Sequence, residues 1–331
     1  ISLIKNIIFS IKKNKSLFHY YIFLGTINIT NDAIWTKNGT TVVGGNESSN
    51  GSNQLELPWG MYVDKDDDET IYVADTWNYR IVEWKKNVGN GRIVAGGNGY
   101  GNRSDQLNRP LSVIVDHKNN SLIICDYGNQ QVVRWSRQNG VKPEIIISNI
   151  TCYDLAMDKN DYLYVSDSDK HEVRQWKIGE NNGTVIAGDN GIGNDLNQFN
   201  GSRNIYVDHN DSVYISDHYN HRVMKWLKGA TEGIIVAGGQ GQGNNLTQLS
   251  NPGGIVVDQL ENVYVADYDN DRVMRWLKDA REGTVIAGGN GKGQQANQFN
   301  APIDLSFDQQ NNLYVLEGNN NRVQKFFIES P

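Results

Sequence analysis

"VYVADYDNDRVMRW", residues 263–276, is a run of alternating apolar residues that breaks into Asp267, Asp269, Asn270 and Asp271 and resumes as Arg-Val-Met-Trp. Taken alone, the acidic cluster reads as a calcium loop or an acid/base pair. Its recurrence points to scaffold instead. "IYVADTWNYRIVEW" (71–84), "LIICDYGNQQVVRW" (122–135), "LYVSDSDKHEVRQW" (163–176), "VYISDHYNHRVMKW" (213–226) and "LYVLEGNNNRVQKF" (313–326) bring the copies to six. Their closing aromatics, Trp84, Trp135, Trp176, Trp226, Trp276 and Phe326, lie 51, 41, 50, 50 and 50 residues apart. A period of this size marks serial supersecondary units.

Upstream of each copy a second strand-like run ends in Asp64, Asp116, Asp158, Asp208, Asp258 or Asp308, and downstream of most copies comes a Gly-rich run such as "TVIAGGNGKG". Each unit is therefore four short β-branched and aromatic runs separated by Gly, Asn and Asp turn signals, without helical period. Such a meander is apolar on both faces, with Val263 and Val265 on one side and Tyr264 and Ala266 on the other, so it must be sandwiched between copies of itself. A closed ring of sheets meets that demand. The expected fold is all-β: a six-bladed β-propeller of four-stranded antiparallel blades. The last copy lacks a Gly-rich fourth run, and residues 34–45, "IWTKNGTTVVGG", resemble one, so an N-terminal strand is expected to close the ring. The expected divisions are an N-terminal extension (1–30), a closing strand and linker (31–53) and repeats at 54–105, 106–148, 149–195, 196–245, 246–295 and 296–331.

The pattern P-x-G-[IV]-x-V-D followed by V-Y-V-A-D-x-x-N-x-R-V resembles the NHL repeat, in six copies over residues 54–326. That resemblance implies the propeller fold. It does not imply one activity, because such propellers include RNA-binding, protein-binding, sensor and lyase members.

Catalysis needs one acidic set, and this chain has six. Asp75, Asp126, Asp167, Asp217 and Asp267, with Glu317, are therefore assigned to structure, each accepting turn N–H groups at a strand end. Asn78, Asn129, Asn220, Asn270 and Asn320 follow three residues later, where a left-handed backbone is expected. Arg80, Arg222, Arg272 and Arg322 are placed to pair with the acids. "GGNGKG" (288–293) looks like a phosphate loop, but no helix follows it and near copies recur, so it reads as a turn. Blades two and three depart from the pattern: Gln131 replaces the Arg in one, and Lys170 and Glu172 replace the Asn and Arg in the other, so the shared salt bridge is expected to be lost in both. The same two blades carry Cys125 and Cys152 on adjacent sheets, which suggests a disulfide; two buried free thiols are the alternative.

With 31 basic and 38 acidic residues the net charge is −7, which repels phosphate backbones and anionic membranes. Two cysteines are too few for a disulfide framework or a four-ligand zinc site. Lys12, Lys13 and Lys15 precede "LFHYYIFLG" (17–25) in the order of a signal peptide, although His19 interrupts it; a leader or anchor remnant and an irregular extension are the two readings. No later segment is apolar enough to span a bilayer as a helix. Sequons begin at Asn28, Asn38, Asn46, Asn50, Asn102, Asn119, Asn149, Asn182, Asn200, Asn210 and Asn245. With 42 Asn and 31 Ser plus Thr in 331 residues, chance places about four. The excess favours an extracellular or secretory-pathway protein, against accidental sequons in Asn-rich turns.

In an up-and-down blade, the loop between strands two and three and the loop between blades share one face. That face should display Trp77, Tyr79, Tyr127, His171, His218, Tyr219, His221 and Tyr268, with Trp59, Tyr153 and Arg203 near the channel mouth. Aromatic and His side chains around a ring suit a peptide, glycan or protein partner; the bland alternative is packing between loops. The expectation is a non-catalytic, extracellular or cell-surface binding module with no metal and no cofactor. The alternative is a metal-dependent lyase or hydrolase, but His117, His171, His209, His218 and His221 fall in turns at unlike repeat positions and none lies on an inner strand. No G-x-S-x-G elbow is present. An RNA-binding role, third, is disfavoured by the negative charge and by loops of Asn, Asp, Tyr and Gly.

Overall fold

The computed structural model describes residues 29–329 except 68, 139–141 and 181. The signal-like stretch and Asn28 lie outside the described residues. Among the described residues no helix is long and apolar enough to cross a membrane.

Six four-stranded antiparallel sheets make the ring. Their innermost strands are β3 (Gly60–Asp64), β7 (Pro110–Asp116), β11 (Cys152–Met157), β15 (Ser202–Val207), β19 (Pro252–Val257) and β23 (Pro302–Phe307). Period-2 alternation sends successive side chains to opposite faces of a blade. Val263 and Val265 accordingly pack in one inter-blade core with Trp276, and Tyr264 and Ala266 in the next with Phe307. No blade can bury both of these faces without two neighbours.

The ring closes as the termini require. β2 (Thr40–Gly44) pairs with β25 (Arg322–Phe326) and becomes the outer strand of blade six. A second, shorter clasp joins β1 (Ile34–Trp35) to β26 (Ile328–Glu329), and Trp35 packs against Tyr264 and Phe307. In the outer strands a one-residue register shift recurs, as between Val273 and Met274 in blade five. Gly288 then takes φ +71°, and a Cβ there would fall 2.4 Å from the Phe299 ring and 2.6 Å from the Asp271 carbonyl. The Gly-rich signature thus serves tight packing of the strand end, with no phosphate loop needed.

Cys125 and Cys152 form a disulfide, S–S 2.02 Å, between blades two and three. The shared ion pair is altered in those blades and not simply lost. Gln131 Nε2 donates to Asp126 Oδ2 at 2.7 Å, which keeps the bond without the charge. Lys170 Nζ, from the Asn position, stands 3.7 Å from Asp167 Oδ2. Glu172 is buried and is answered by Arg174 from two residues further along its strand.

Candidate functional site

In five of the six blades the acid at the end of the second strand ties its blade to the loop that enters it. In blade five Asp267 Oδ1 accepts the Ser250 N–H at 2.7 Å, while Asp267 Oδ2 accepts from Asn270 Nδ2 and Arg272 Nε. The Arg272 fork continues to the carbonyls of Asn244, Asn245 and Gln248. Arg80, Arg222 and Arg322 repeat the set with Asp75, Asp217 and Glu317. In five blades the accepted N–H therefore comes from the loop between blades, whereas Asp167 of blade three accepts the N–H of Lys170 from its own turn, as the sequence suggested.

The left-handed residue is also not the Asn but the one after it: Tyr79, Gln130, His171, His221, Asp271 and Asn321 have φ between 50° and 54°. The Asn side chain is instead spent bridging the acid to the loop, as Asn270 does to Asp267 and the Gly243 carbonyl. The left-handed residue then reaches the next blade. His171 Nδ1 accepts the Gly201 N–H and His221 Nδ1 the Asn251 N–H, both at 3.1 Å, and Asp271 and Asn321 do the same for Ala301 and Leu57. His171 and His221 thus occupy one repeat position, and His117 and His209, each following the strand-ending Asp, share another, contrary to the reading of unlike positions.

Several of the residues expected to be displayed are engaged or covered. His218 is buried, with Nδ1 3.0 Å from the Pro252 carbonyl, and burial, aided by the Arg203 charge, pushes its pKa down to about 3. It is neutral at any physiological pH. Tyr153 is buried too, and Trp59 Nε1 donates to its hydroxyl. Arg203 stacks over both Tyr153 and Tyr219 and donates to the Tyr219 hydroxyl. Tyr79 packs on Tyr100 and Arg109 stacks on Trp77. Trp77 and Tyr219 are exposed; Tyr127 and Tyr268 are half-buried.

Blades one and three are not neighbours, so the Trp59–Tyr153 bond crosses the mouth of the channel on this face. Beneath it lies a cavity of about 520 Å³ that runs to the opposite face. Its walls include Tyr62, Ile114, Val256 and Phe307, and its outer rim includes Lys65, Asp66, His117 and Lys159. The inner end is polar. Counting four residues back from each strand-ending Asp gives one ring of equivalent positions: Gly60, Ser112, Asp154, Asn204, Gly254 and Asp304.

The two acids of that ring are the candidate functional groups that sequence reasoning missed. Asp154 Oδ2 accepts the Ile205 N–H at 2.9 Å, and Asp304 accepts the N–H groups of Met61 and Leu305 at 2.8 Å each. The inner strand edge has no further strand to pair with, so these carboxylates satisfy its N–H groups. Burial pushes Asp154 up to about 6; burial, and next the charge of Asp154, push Asp304 up to about 7. A signal was present: "DLAMD" and "DLSFD" carry an acid where the other copies have Gly, Ser or Asn.

The NHL-repeat family profile matches residues 299–326, the last copy of the pattern. With six blades of that pattern closing one ring, the assignment follows. The chain is an NHL-repeat propeller protein. No curated protein sequence matches it at a significant level. Among solved structures this NHL propeller is similar to an auxiliary nutrient binding protein from Bacteroides thetaiotaomicron, 16% identical with a TM-score of 0.66, covering 88% of this chain and 76% of that one. It is also similar to a gluconolactonase from Xanthomonas campestris, 11% identical, TM-score 0.61, covering 92% of this chain and 100% of that one. A virginiamycin B lyase from Staphylococcus aureus is 10% identical, TM-score 0.55, with 84% and 97% covered. At these identities the likeness is one of fold.

Proposed function

We propose that this NHL propeller is a non-catalytic binding module that works in an oxidising, extracytoplasmic setting and seats a small ligand in its central cavity. The observation that carries the reading is the cavity itself: about 520 Å³, within the range of specific small-molecule sites, with apolar walls, a polar inner end and one mouth bridged by Trp59 and Tyr153. A fold neighbour described as a nutrient binding protein supports it, as do the disulfide and the sequon excess for the compartment. The aromatic loop face retains Trp77 and Tyr219 as its exposed anchors and would serve a protein or glycan partner.

The test is a thermal-shift screen of sugars, amino acids, short peptides and small organic acids, followed by titration of hits into two variants. Ser306→Trp fills the cavity; Trp77→Ala with Tyr219→Ala strips the loop face. Loss of binding in Ser306→Trp alone supports the cavity. Loss only in the loop-face variant moves the ligand to that face.

A second reading, a lyase or lactone hydrolase, is favoured by the pair Asp154 and Asp304, whose raised pKa values suit proton transfer near neutral pH, and by fold neighbours of both kinds. Turnover of a lactone or lyase substrate that disappears in Asp304→Asn would establish it in place of the first.

A further inference from the structure

The strand-ending acids of blades three, five and six follow one plan, and those of blades one, two and four depart from it: in blade two Ile123 stands at the tyrosine position, and in blade four Asp208 Oδ2 and the Tyr214 hydroxyl are both left without a partner. Asp158 Oδ1 accepts two turn N–H groups, from Asn160 and Tyr162, and Oδ2 accepts the hydroxyl of Tyr164. Asp258 with Tyr264 and Asp308 with Tyr314 share the tyrosine bond. In blade one the intervening loop, "KDDDET", is two residues longer, which carries the matching Tyr72 away: its hydroxyl donates to Glu83 at 3.2 Å. Asp64 Oδ1 keeps one turn N–H, from Asp66. Asp64 Oδ2 is buried with no hydrogen-bond partner. An orphaned carboxylate oxygen costs more to leave dry than any hydrogen bond in the turn returns.

What faces Asp64 across the blade boundary is His117, with Nε2 3.1 Å from Asp64 Oδ1 and 3.8 Å from Asp66 Oδ2. One donor atom from each residue lies within 4.8 Å of the others. Arg137 is hydrogen-bonded to Asp67 at 2.9 Å, and Lys118 to Asp161 at 2.5 Å. We infer that Asp64, Asp66 and His117 form a divalent-cation site of zinc type on the rim of the cavity. Bonds of about 2.0–2.1 Å at a tetrahedral centre set ligand atoms about 3.3–3.4 Å apart, a value bracketed by the two observed separations. One imidazole and two carboxylates balance the charge of the ion and leave a fourth position open. Asp66 and His117 also line the cavity, so that position faces the ligand space. The site stands whether or not the cavity binds an organic ligand.

The test uses chelator-dialysed protein. Calorimetry with Zn²⁺, and Co²⁺ absorption as a report on ligand geometry, should show one site per chain. Affinity should fall tenfold or more in His117→Ala and in Asp66→Asn, both exposed positions that leave folding intact. His209→Ala removes the repeat-equivalent histidine of blade four, which has no counterpart of Asp66, and should leave affinity unchanged. No one-to-one binding at millimolar ion, affinity indifferent to His117→Ala, or loss in His209→Ala would each overturn the inference.

Discussion

Arg272 Nε donates to Asp267 Oδ2 at 2.7 Å, and both side chains are buried where the inter-blade loop enters blade five. The same separation recurs between Arg80 and Asp75 and between Arg222 and Asp217. Each pair is half of a cluster that pins a Gly-rich loop by its carbonyls. Removing one partner leaves an uncompensated buried charge and three unanswered carbonyls. Arg272→Ala should lower unfolding free energy by about 3–5 kcal/mol, read from the midpoint of a urea titration. Lys228→Ala, which breaks a bridge with Asp211 on an exposed lysine, should leave that midpoint almost unchanged. Equal losses would refute the structural role.

The disulfide gives a second expectation. Cys125 and Cys152 are 27 residues apart and link two blades in which the shared ion pair is altered. No free thiol should be detectable in the unfolded, unreduced protein. The double variant Cys125→Ser, Cys152→Ser should lose about 2–4 kcal/mol, and a titration of two free thiols in the natural protein would contradict the bond.

Asp154 and Asp304 predict the pH response. Their folded pKa values are raised to about 6 and about 7, so between the unfolded carboxyl value near 4 and pH 7 the folded chain binds more protons than the unfolded one. Stability from these groups is complete below that window and declines as pH rises through it. Asp304→Asn should flatten the decline and raise the melting temperature at pH 7 relative to pH 5. A decline of unchanged steepness in that variant would place its source elsewhere.

Sequon exposure sets a fourth. Asn38, Asn46, Asn50, Asn102, Asn149, Asn182, Asn210 and Asn245 are exposed, whereas Asn200 is partly buried and its N–H is given to Asp217 Oδ1. Protein secreted from eukaryotic cells should lose mass in glycosidase, and peptide mapping should find Asn200 the least occupied of these. An unchanged mass would remove the compartment argument.

The six-fold recurrence around "VYVADYDNDRVMRW" determined the fold by itself, because a repeat apolar on both faces has few ways to bury both, and a chain lacking its last outer strand must find it at the other end. The Asp–Arg pairing was legible for the same reason: a motif needed at every blade is written six times. What only the tertiary structure decided lies where blades meet. The N–H accepted by Asp267 comes from Ser250, the partner of Asn321 is Leu57 and that of Asp304 is Met61, and no local pattern encodes contacts across 17, 264 or 243 residues. His218 looked like a display residue because turn positions are usually exposed, yet it packs against the Pro252 carbonyl of the next blade, and Tyr153, expected near the channel mouth, is buried there against Trp59. The acids of the channel, and Asp66 and His117 beside the shared Asp64, sit at positions where copies differ, and a difference acquires a meaning only once the ring has brought six such positions around one axis.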